Sequence, residues 1–286
     1  MISRLAVVLK QDAPEAVGAL QLVQAQFPGL QLLGEATGSY ALPKAITGVP
    51  RLAAAELAAA AELVLVLGGD GTLIHAASLL QDRPTPILGV NLGTIGFLTE
   101  VRPSQLTAAL TAALAGQLEA HTRMRLDVVV ERDGRPLLQR RVLNDAVITS
   151  RTLARIATFA VRLEGALVTQ VRGDGVIFAT PTGSTAYSLA SGGPIVSPSL
   201  EAISITPICP HQLTQRPLVV PAVGELVVTL NSDSSAFVSL DGHAGQDMLR
   251  GDCVRLRAAP VPTQLLVLPD HSYFNTLRTK LHWGQG

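Results

Sequence analysis

The stretch LVLVLGGDGT, residues 63–72, decides how the rest of the chain is read. Leu63–Leu67 has no polar alternation, so both faces of the run want burial, as in a central parallel strand. Gly68, Gly69 and Gly71 interrupt it, and Thr72–Leu80 continues at helical spacing. A strand that turns through glycines into a helix leaves backbone N–H groups and the positive end of the helix dipole facing outward, which makes an anion site. The turn lacks the GxxxxGK[ST] pattern of a Walker A loop. It carries Asp70 instead. A carboxylate repels a phosphate, so Asp70 is badly placed as a cradle and well placed as a base beside one, accepting a proton from an attacking hydroxyl. The alternative is a plain helix N-cap.

The same alternation extends to both sides. Leu5–Leu9 reads as a strand, Ala13–Phe27 as a helix with Asp12 as N-cap and Pro14 in its first turn, and Gln31–Leu33 as a strand. Arg51–Ala61 reads as a helix, Ile87–Val90 as a strand, and Ser104–Ala115 as a helix closed by Gly116. Strands alternating with helices predict a parallel sheet covered by helices. From about Leu118 the texture changes to short strands: Leu126–Glu131, Arg140–Ser150, Ile156–Glu164, Leu167–Arg172, Glu225–Leu230, Ala236–Leu240, Val254–Ala258 and Gln264–Leu268. Asp133-Gly134 is a hairpin signal among them. The residues after 268 return to a helical pattern that holds Tyr273, Phe274 and Trp283.

Bulk counts limit the partners. The 286 residues suit two domains, or one large domain. Lys plus Arg and Asp plus Glu are 22 each, so the net charge is zero, which argues against a nucleic-acid binder and against steering to anionic membranes. Three of the basic residues are lysines: Lys10, Lys44 and Lys280. Cys209 and Cys253 form no disulfide framework or metal-ligand spacing and are read as buried, reduced thiols. The apolar run before Lys10 is shorter than a secretory core and reads as a strand, so a soluble cytoplasmic protein is expected.

Two further segments carry candidate chemistry. Asp174-Gly175 leads into TPTGSTAYSLASGGP, residues 180–194, dense in hydroxyls and glycines with one aromatic ring. Short uncharged donors and acceptors of that kind suit a sugar and a base; the bland alternative is a Ser/Thr/Gly surface loop. Asn144-Asp145 interrupts an apolar strand. The pair reads equally as a bulge or strand end and as an amide and carboxylate offered to vicinal hydroxyls.

Taken in order, GGDGT at 68–72, NLGTIGFL at 91–98, Asn144-Asp145, GDGVIFATPTGSTAYSLASGGPIVSPSL at 173–200, ITPICPHQLTQRPLVV at 205–220 and SYFNTLRTKLHW at 272–283 resemble the NAD kinases of bacteria. GGDGT alone is shared with lipid kinases and phosphofructokinases; the 173–200 block is far more specific. The resemblance implies transfer of the ATP γ-phosphoryl, with a divalent metal, to the 2′-hydroxyl of the adenosine ribose of NAD. No pair of carboxylates in the sequence marks a protein-built metal site, so the metal, such as Mg²⁺, is expected to arrive with ATP. It makes Asp70 the proton acceptor and lays Gly68, Gly69, Gly71 and Thr72 along the ATP phosphates. It gives NAD contacts to Asp70, Gly71, Asn144, Asp145 (where members often have Glu), Asp174, and Thr185, Ala186, Tyr187, Ser188, Leu189 and Ala190, with Tyr187 as a stacking ring. Arg155 and Arg172 fall where members reach the nicotinamide end or a neighbouring subunit's ligand. His243 stands where many members have Gln. His75, five residues past Asp70, is read either as meeting ligand phosphate or as a solvated helix residue.

The implied architecture is α/β plus all-β. An N-terminal nucleotide-binding α/β domain with a parallel sheet (1–118 with 269–286) is joined to a C-terminal β-sandwich-like NAD-binding domain (119–268), and the C-terminal helix returns to the first domain. A homodimer or homotetramer is implied. The competing readings are a lipid kinase sharing GGDGT and a non-catalytic dinucleotide sensor.

Overall fold

The computed structural model describes residues 2–94, 96–151, 156–243, 245–269 and 272–284. The chain divides into two compact units, Met1–Thr122 with Thr263–Gly286, and Arg123–Pro262.

The first unit opens with β1 (Arg4–Leu9), α1 (Pro14–Gln26), β2 (Gln31–Glu35), β3 (Arg51–Leu52), α2 (Ala54–Ala60), β4 (Leu63–Gly68), α3 (Asp70–Leu80), β5 (Ile87–Asn91), α4 (Leu106–Leu114) and β6 (Glu119–Arg123). Side chains alternate across a strand, and β1 uses both faces. Leu5, Val7 and Leu9 join a core with Leu20 of α1 and Leu110 of α4, while Ala6 and Val8 face Leu57 of α2 and Leu80 of α3. Pro14 opens α1, where its missing N–H costs nothing, but Asp12 does not cap it; the N-cap is Ala13 and Asp12 takes φ 53° in the preceding turn.

The second unit is a sandwich. It contains β7 (Leu126–Arg132), β8 (Arg135–Val142), β9 (Asp145–Ser150), β10 (Ala157–Leu163), β11 (Ala166–Gly173), β12 (Gly175–Ala179), α5 (Tyr187–Ala190), β13 (Ala202–Ile208), β14 (Leu218–Pro221), β15 (Leu226–Leu230), β16 (Ala236–Leu240), β17 (Gly245–Met248) and β18 (Cys253–Ala258). One sheet runs β11-β10-β15-β18-β7-β8 and the other β14-β13-β12-β9-β16-β17. Their inner faces share one core, with Phe159, Val161 and Leu256 from the first and Ile148, Phe178 and Val238 from the second.

The single strand expected over Arg140–Ser150 is two strands in different sheets, broken at Leu143-Asn144. The chain crosses between sheets again at Asp174, between β11 and β12. A crossing strand must turn away from its ladder, and polar residues there reach solvent or side-chain partners instead. The polar interruption at Asn144-Asp145 and the polar Asp174 therefore both mark sheet crossings.

The chain then returns to the first unit as β19 (Thr263–Val267) and α6 (Tyr273–Leu281). β19 corrects the assignment of Gln264–Leu268 to the β-rich half, because it pairs in parallel with β5. A short alternating strand has no local mark of the sheet it joins. The completed order is β3-β2-β1-β4-β5-β19-β6. β1 leads outward to β2 on one side, and β4 leads to β5 on the other. The carboxyl ends of β1 and β4 thus flank a topological switch point, where open α/β sheets bind ligands. No described helix is long and apolar enough to cross a membrane. The buried reading of the cysteines is also corrected: Cys209 is exposed in a turn after β13, and Cys253 is half-buried beside Glu131.

Close backbone approach within the second sheet gives a direct test. A Cβ on Gly175 would lie 2.3 Å from the Ile148 carbonyl, whereas Gly18, inside α1, has open space. Gly175→Ala is expected to lower unfolding free energy by about 1–3 kcal/mol, as overpacking does. Gly18→Ala is expected to raise it by about 0.5–1 kcal/mol. Urea unfolding followed by circular dichroism reads both.

Candidate active site

β4 delivers Gly68 and Gly69 to the switch point, and α3 begins at once with Gly69 as N-cap and Asp70 in its first turn. Asp70 is therefore not the N-cap, and its carboxylate makes no capping bond. It turns instead to the loop that follows β5. Oδ2 accepts from the Phe97 N–H at 2.8 Å, and Oδ1 accepts from the N–H groups of Leu98 and Thr99, each at 3.1 Å, and from the Thr99 hydroxyl at 3.0 Å. The Thr99 hydroxyl also accepts from Asn91 Nδ2 at 2.8 Å, and Asn91 Oδ1 accepts from the Gly93 N–H at 2.7 Å. Asn91 and Thr99 are both buried. The approach is so close that a Cβ on Gly96 would meet Asp70 Oδ1 at 1.9 Å. The sequence marks 91–98 only as a motif; the roles of Asn91 and Thr99 come from the fold.

The glycines of the turn have different reasons to be glycine. A Cβ on Gly68 would strike the Thr72 hydroxyl at 2.4 Å. Gly69 and Gly71 face open space, and neither takes a positive φ. Nothing in the protein itself excludes a side chain at those two positions. Bare backbone there leaves room for a group to approach the N–H donors of α3.

His75 is neither turned to that space nor solvated. Its Nε2 lies 2.8 Å from Glu35 Oε2, and its ring stacks on Tyr40 with centroids 4.1 Å apart. It ties the end of β2 and the segment after it to α3.

In the second unit, a cluster forms at one end of the β9–β12–β16 sheet. The Asp241 carboxylate, following β16, accepts from the backbone N–H groups of Leu143 (2.7 Å), Asn144 (2.8 Å) and Asp145 (3.1 Å). These are the donors freed by the crossing from β8 to β9. The Thr180 hydroxyl donates to the Leu143 carbonyl at 2.6 Å, and the Thr180 N–H to the Asn144 carbonyl at 2.8 Å. Gly183 sits against the Asn144 backbone, which a Cβ would meet at 2.1 Å. Asn144 Oδ1 is buried without a hydrogen-bond partner, an acceptor that costs about 1–3 kcal/mol to leave unpaired. Asp145 is buried beside Asp241; burial first, and then the Asp241 charge, push its carboxyl up to about 7. Burial raises Asp241 too, with its three N–H donors and nearby His243 pulling the other way. Asp241 was missed in the sequence because nothing local links residue 241 to 143–145.

α5 covers the outer face of the same sheet. Ser188 is buried in a hydroxyl pair with Thr206 at 2.9 Å, so its side chain anchors the helix. The Thr185 hydroxyl donates to the Thr182 carbonyl at 3.2 Å. Ala186 and Leu189 are half-buried, Ala190 is exposed, and Tyr187 is 46% exposed. His243 is exposed in the turn after β16. Arg172 and Asp174 are exposed at the other end: Gly175 pairs with Thr149 whereas Ala179 pairs with Asp145. At about 3.3 Å per residue, the two ends are roughly 16 Å apart. The fold thus gathers Asn144, Asp145 and His243 but sets Asp174 and Arg172 away from them. Arg155 lies outside the described residues. Among the described residues, no three His, Cys, Asp or Glu side chains group as a metal site.

A 3-2-1-4-5 strand order with a glycine-rich helix N-terminus at its switch point places the first unit in the nucleotide-binding α/β class. Residues 33–118 match the model of the ATP-NAD kinase N-terminal domain, and residues 143–268 that of the ATP-NAD kinase C-terminal domain. The chain is 48% identical over 226 residues to a Geobacter sulfurreducens NAD kinase, covering 79% of this chain and 80% of that protein. It is 49% identical over 232 residues to the NAD kinase of Citrifermentans bemidjiense, covering 80% and 81%. The chain belongs to the NAD kinase family. Its fold is similar to a yeast NADH kinase crystallised with NADH (TM-score 0.88, 24% identity, 100% and 89% of the two chains). It is also similar to an Archaeoglobus fulgidus NAD kinase in complex with ATP (TM-score 0.76, 27% identity, 98% of each chain).

The Asp145 environment carries a pH prediction. Its folded value of about 7 exceeds the unfolded value of about 3.9, so its contribution to stability is fully present below pH 4 and lost as pH rises through 7. Asp145→Asn removes that loss. The stability difference between variant and wild type, from urea unfolding, should shift in the variant's favour by about 2–4 kcal/mol between pH 5 and pH 8. A difference that does not change with pH would place Asp145 in a less buried setting.

Proposed function

We propose that this chain is an NAD kinase that transfers the γ-phosphoryl of magnesium-bound ATP to the 2′-hydroxyl of the adenosine ribose of NAD, giving NADP. The observation that carries the reading is Asp70: a carboxylate clamped at the N-terminus of α3 with its two oxygens unequally loaded. A carboxylate offers about four lone-pair sites. Oδ1 takes three donors and Oδ2 one, so Oδ2 keeps a site for a substrate hydroxyl. Its proton leaves to Oδ2 as the ribose oxygen attacks the γ-phosphorus and ADP departs. The open backbone at Gly69 and Gly71, with Gly68 and Thr72, suits the ATP phosphates. In such transfer, positioning and charge stabilisation do most of the work.

The unpaired Asn144 oxygen and the Asp145 carboxylate suit ribose hydroxyls, each hydroxyl donating to an acceptor that otherwise lacks a partner. The exposed Tyr187 ring suits stacking on adenine, with the flanking 185–190 backbone around it. Magnesium enters with ATP as part of the substrate, keeping waters and phosphate oxygens as ligands. Two free thiols suit a reducing compartment, the cytoplasm.

We also propose a homodimer or homotetramer. Asp174 and Arg172 lie at the far end of the β9–β12 pair from Asp145, so they complete a neighbouring copy's NAD site. The domain reading of a nucleotide-binding unit and an NAD-binding β unit follows the same division of labour.

With ATP and Mg²⁺, NAD should be converted to NADP and diacylglycerol left unchanged; product from the lipid alone would overturn the reading. Asp70→Asn should lower kcat by roughly 10²–10⁴-fold while NAD still binds by calorimetry. Unchanged turnover would remove the base role. Mixing Asp70→Asn with Asp174→Ala protein, each weakly active alone, should restore activity through mixed oligomers; additive residual rates would show that the two residues serve one copy's site.

A further inference from the structure

The proposed ATP site has a charge problem. Asp70 contributes a full negative charge, and the N-terminus of α3 offsets only about +0.5 of it. A polyphosphate arriving there meets net repulsion unless a cation stands nearby. The Gly68–Thr72 turn contains no Lys or Arg.

Lys10 stands at that place. It directly follows β1, the strand beside β4 at the switch point, and its N–H donates to the Leu67 carbonyl at 2.8 Å. Its Cβ lies 3.1 Å from where a Gly68 Cβ would be. The side chain therefore starts against the first glycine of the turn and projects from the carboxyl edge of the sheet. Lys10 is exposed, and among the described residues its ammonium has no hydrogen-bond or ion-pair partner. Two other cations of this unit are engaged: Lys280 lies 5.8 Å from the centroid of the Phe97 ring, and Arg51 donates to the Pro43 and Ile46 carbonyls. The fold thus sets an uncommitted ammonium beside the glycine turn.

We propose that Lys10 is a polyphosphate-binding residue of the ATP site, its ammonium pairing with phosphate oxygens of ATP that lie over Gly68–Gly71. This rests on the NAD kinase reading above. Lysine acts there as a compact, strongly hydrated point charge on a flexible four-carbon stem, able to follow the phosphates as they move. It touches the donor nucleotide only, so its removal acts on one substrate and spares the other.

The test uses the full-length protein. Wild-type NADP formation in the same preparation checks the underlying reading separately. Lys10→Met should raise KM for ATP by roughly 10- to 100-fold, the weight of one charged hydrogen bond, and leave KM for NAD within twofold. Lys10→Arg, which keeps the charge, should recover most of the loss. Calorimetric titration with tripolyphosphate, which needs no turnover, should show the same weakening in Lys10→Met. Because Lys10 is exposed, the thermal midpoint should not move. An unchanged KM for ATP, or equal increases for ATP and NAD, overturns the proposal, as does tripolyphosphate binding that ignores the substitution.

Discussion

The structure of the first unit's active edge depends on one carboxylate held by one loop. Asp70 sits where the helix dipole and the N–H groups of α3 already favour an anion, yet its own donors come from elsewhere, from Phe97, Leu98 and Thr99. That arrangement fixes two things at once. It pins the 92–99 loop to the carboxyl end of β4, and it leaves the N–H groups of α3 for a second anion. Thr99 links the clamp to Asn91 at the end of β5, so adjacent strands set the aim of a single side chain. Gly96 shows how little slack exists, since any side chain there would occupy the place of Asp70 Oδ1.

The second unit solves a related problem by other means. Where the chain leaves one sheet for the other at Leu143-Asn144, three backbone donors lose their ladder partners. Asp241 takes all three, at 2.7–3.1 Å. Closing that gap buries a second carboxylate, Asp145, beside the first; burial disfavours the charge of both, and the Asp241 charge adds to this at Asp145. The cluster is costly for the free protein. It leaves an unpaired Asn144 oxygen and a partly protonated Asp145, both of which hydroxyl donors would relieve. Strain held in the unliganded state and relieved by ligand is a recurrent property of functional sites.

Much of this was legible in residues 63–72. An unbroken apolar run ending in glycines dictated a buried parallel strand with a helix behind it, and the strand order then followed the usual rules for such units. Asn144-Asp145 was visible as a polar interruption of a strand, and Asp174 as the polar lead into the 180–194 segment. Their meaning was not, because a sheet crossing is defined by which ladder each flanking strand joins, and strand pairing is non-local. β19 was misplaced for the same reason. Asp241, Thr99 and Lys10 escaped because their partners are distant in sequence; only the assembled sheet brings residue 10 beside residue 68. His75 was seen, but its partners are Glu35 at the end of β2, distant in sequence, and Tyr40 in the irregular segment beyond it, whose path no periodicity encodes.

The central claim is that Asp70 Oδ2 faces the hydroxyl that attacks ATP. A crystal structure of the protein with NAD and a non-hydrolysable ATP analogue measures this directly. The account predicts the 2′-hydroxyl of the NAD adenosine ribose within hydrogen-bonding distance of Oδ2, about 2.6–3.2 Å, while the Phe97–Thr99 donors stay in place. A 2′-hydroxyl turned away from Asp70, with both carboxylate oxygens engaged only by the loop, would contradict it.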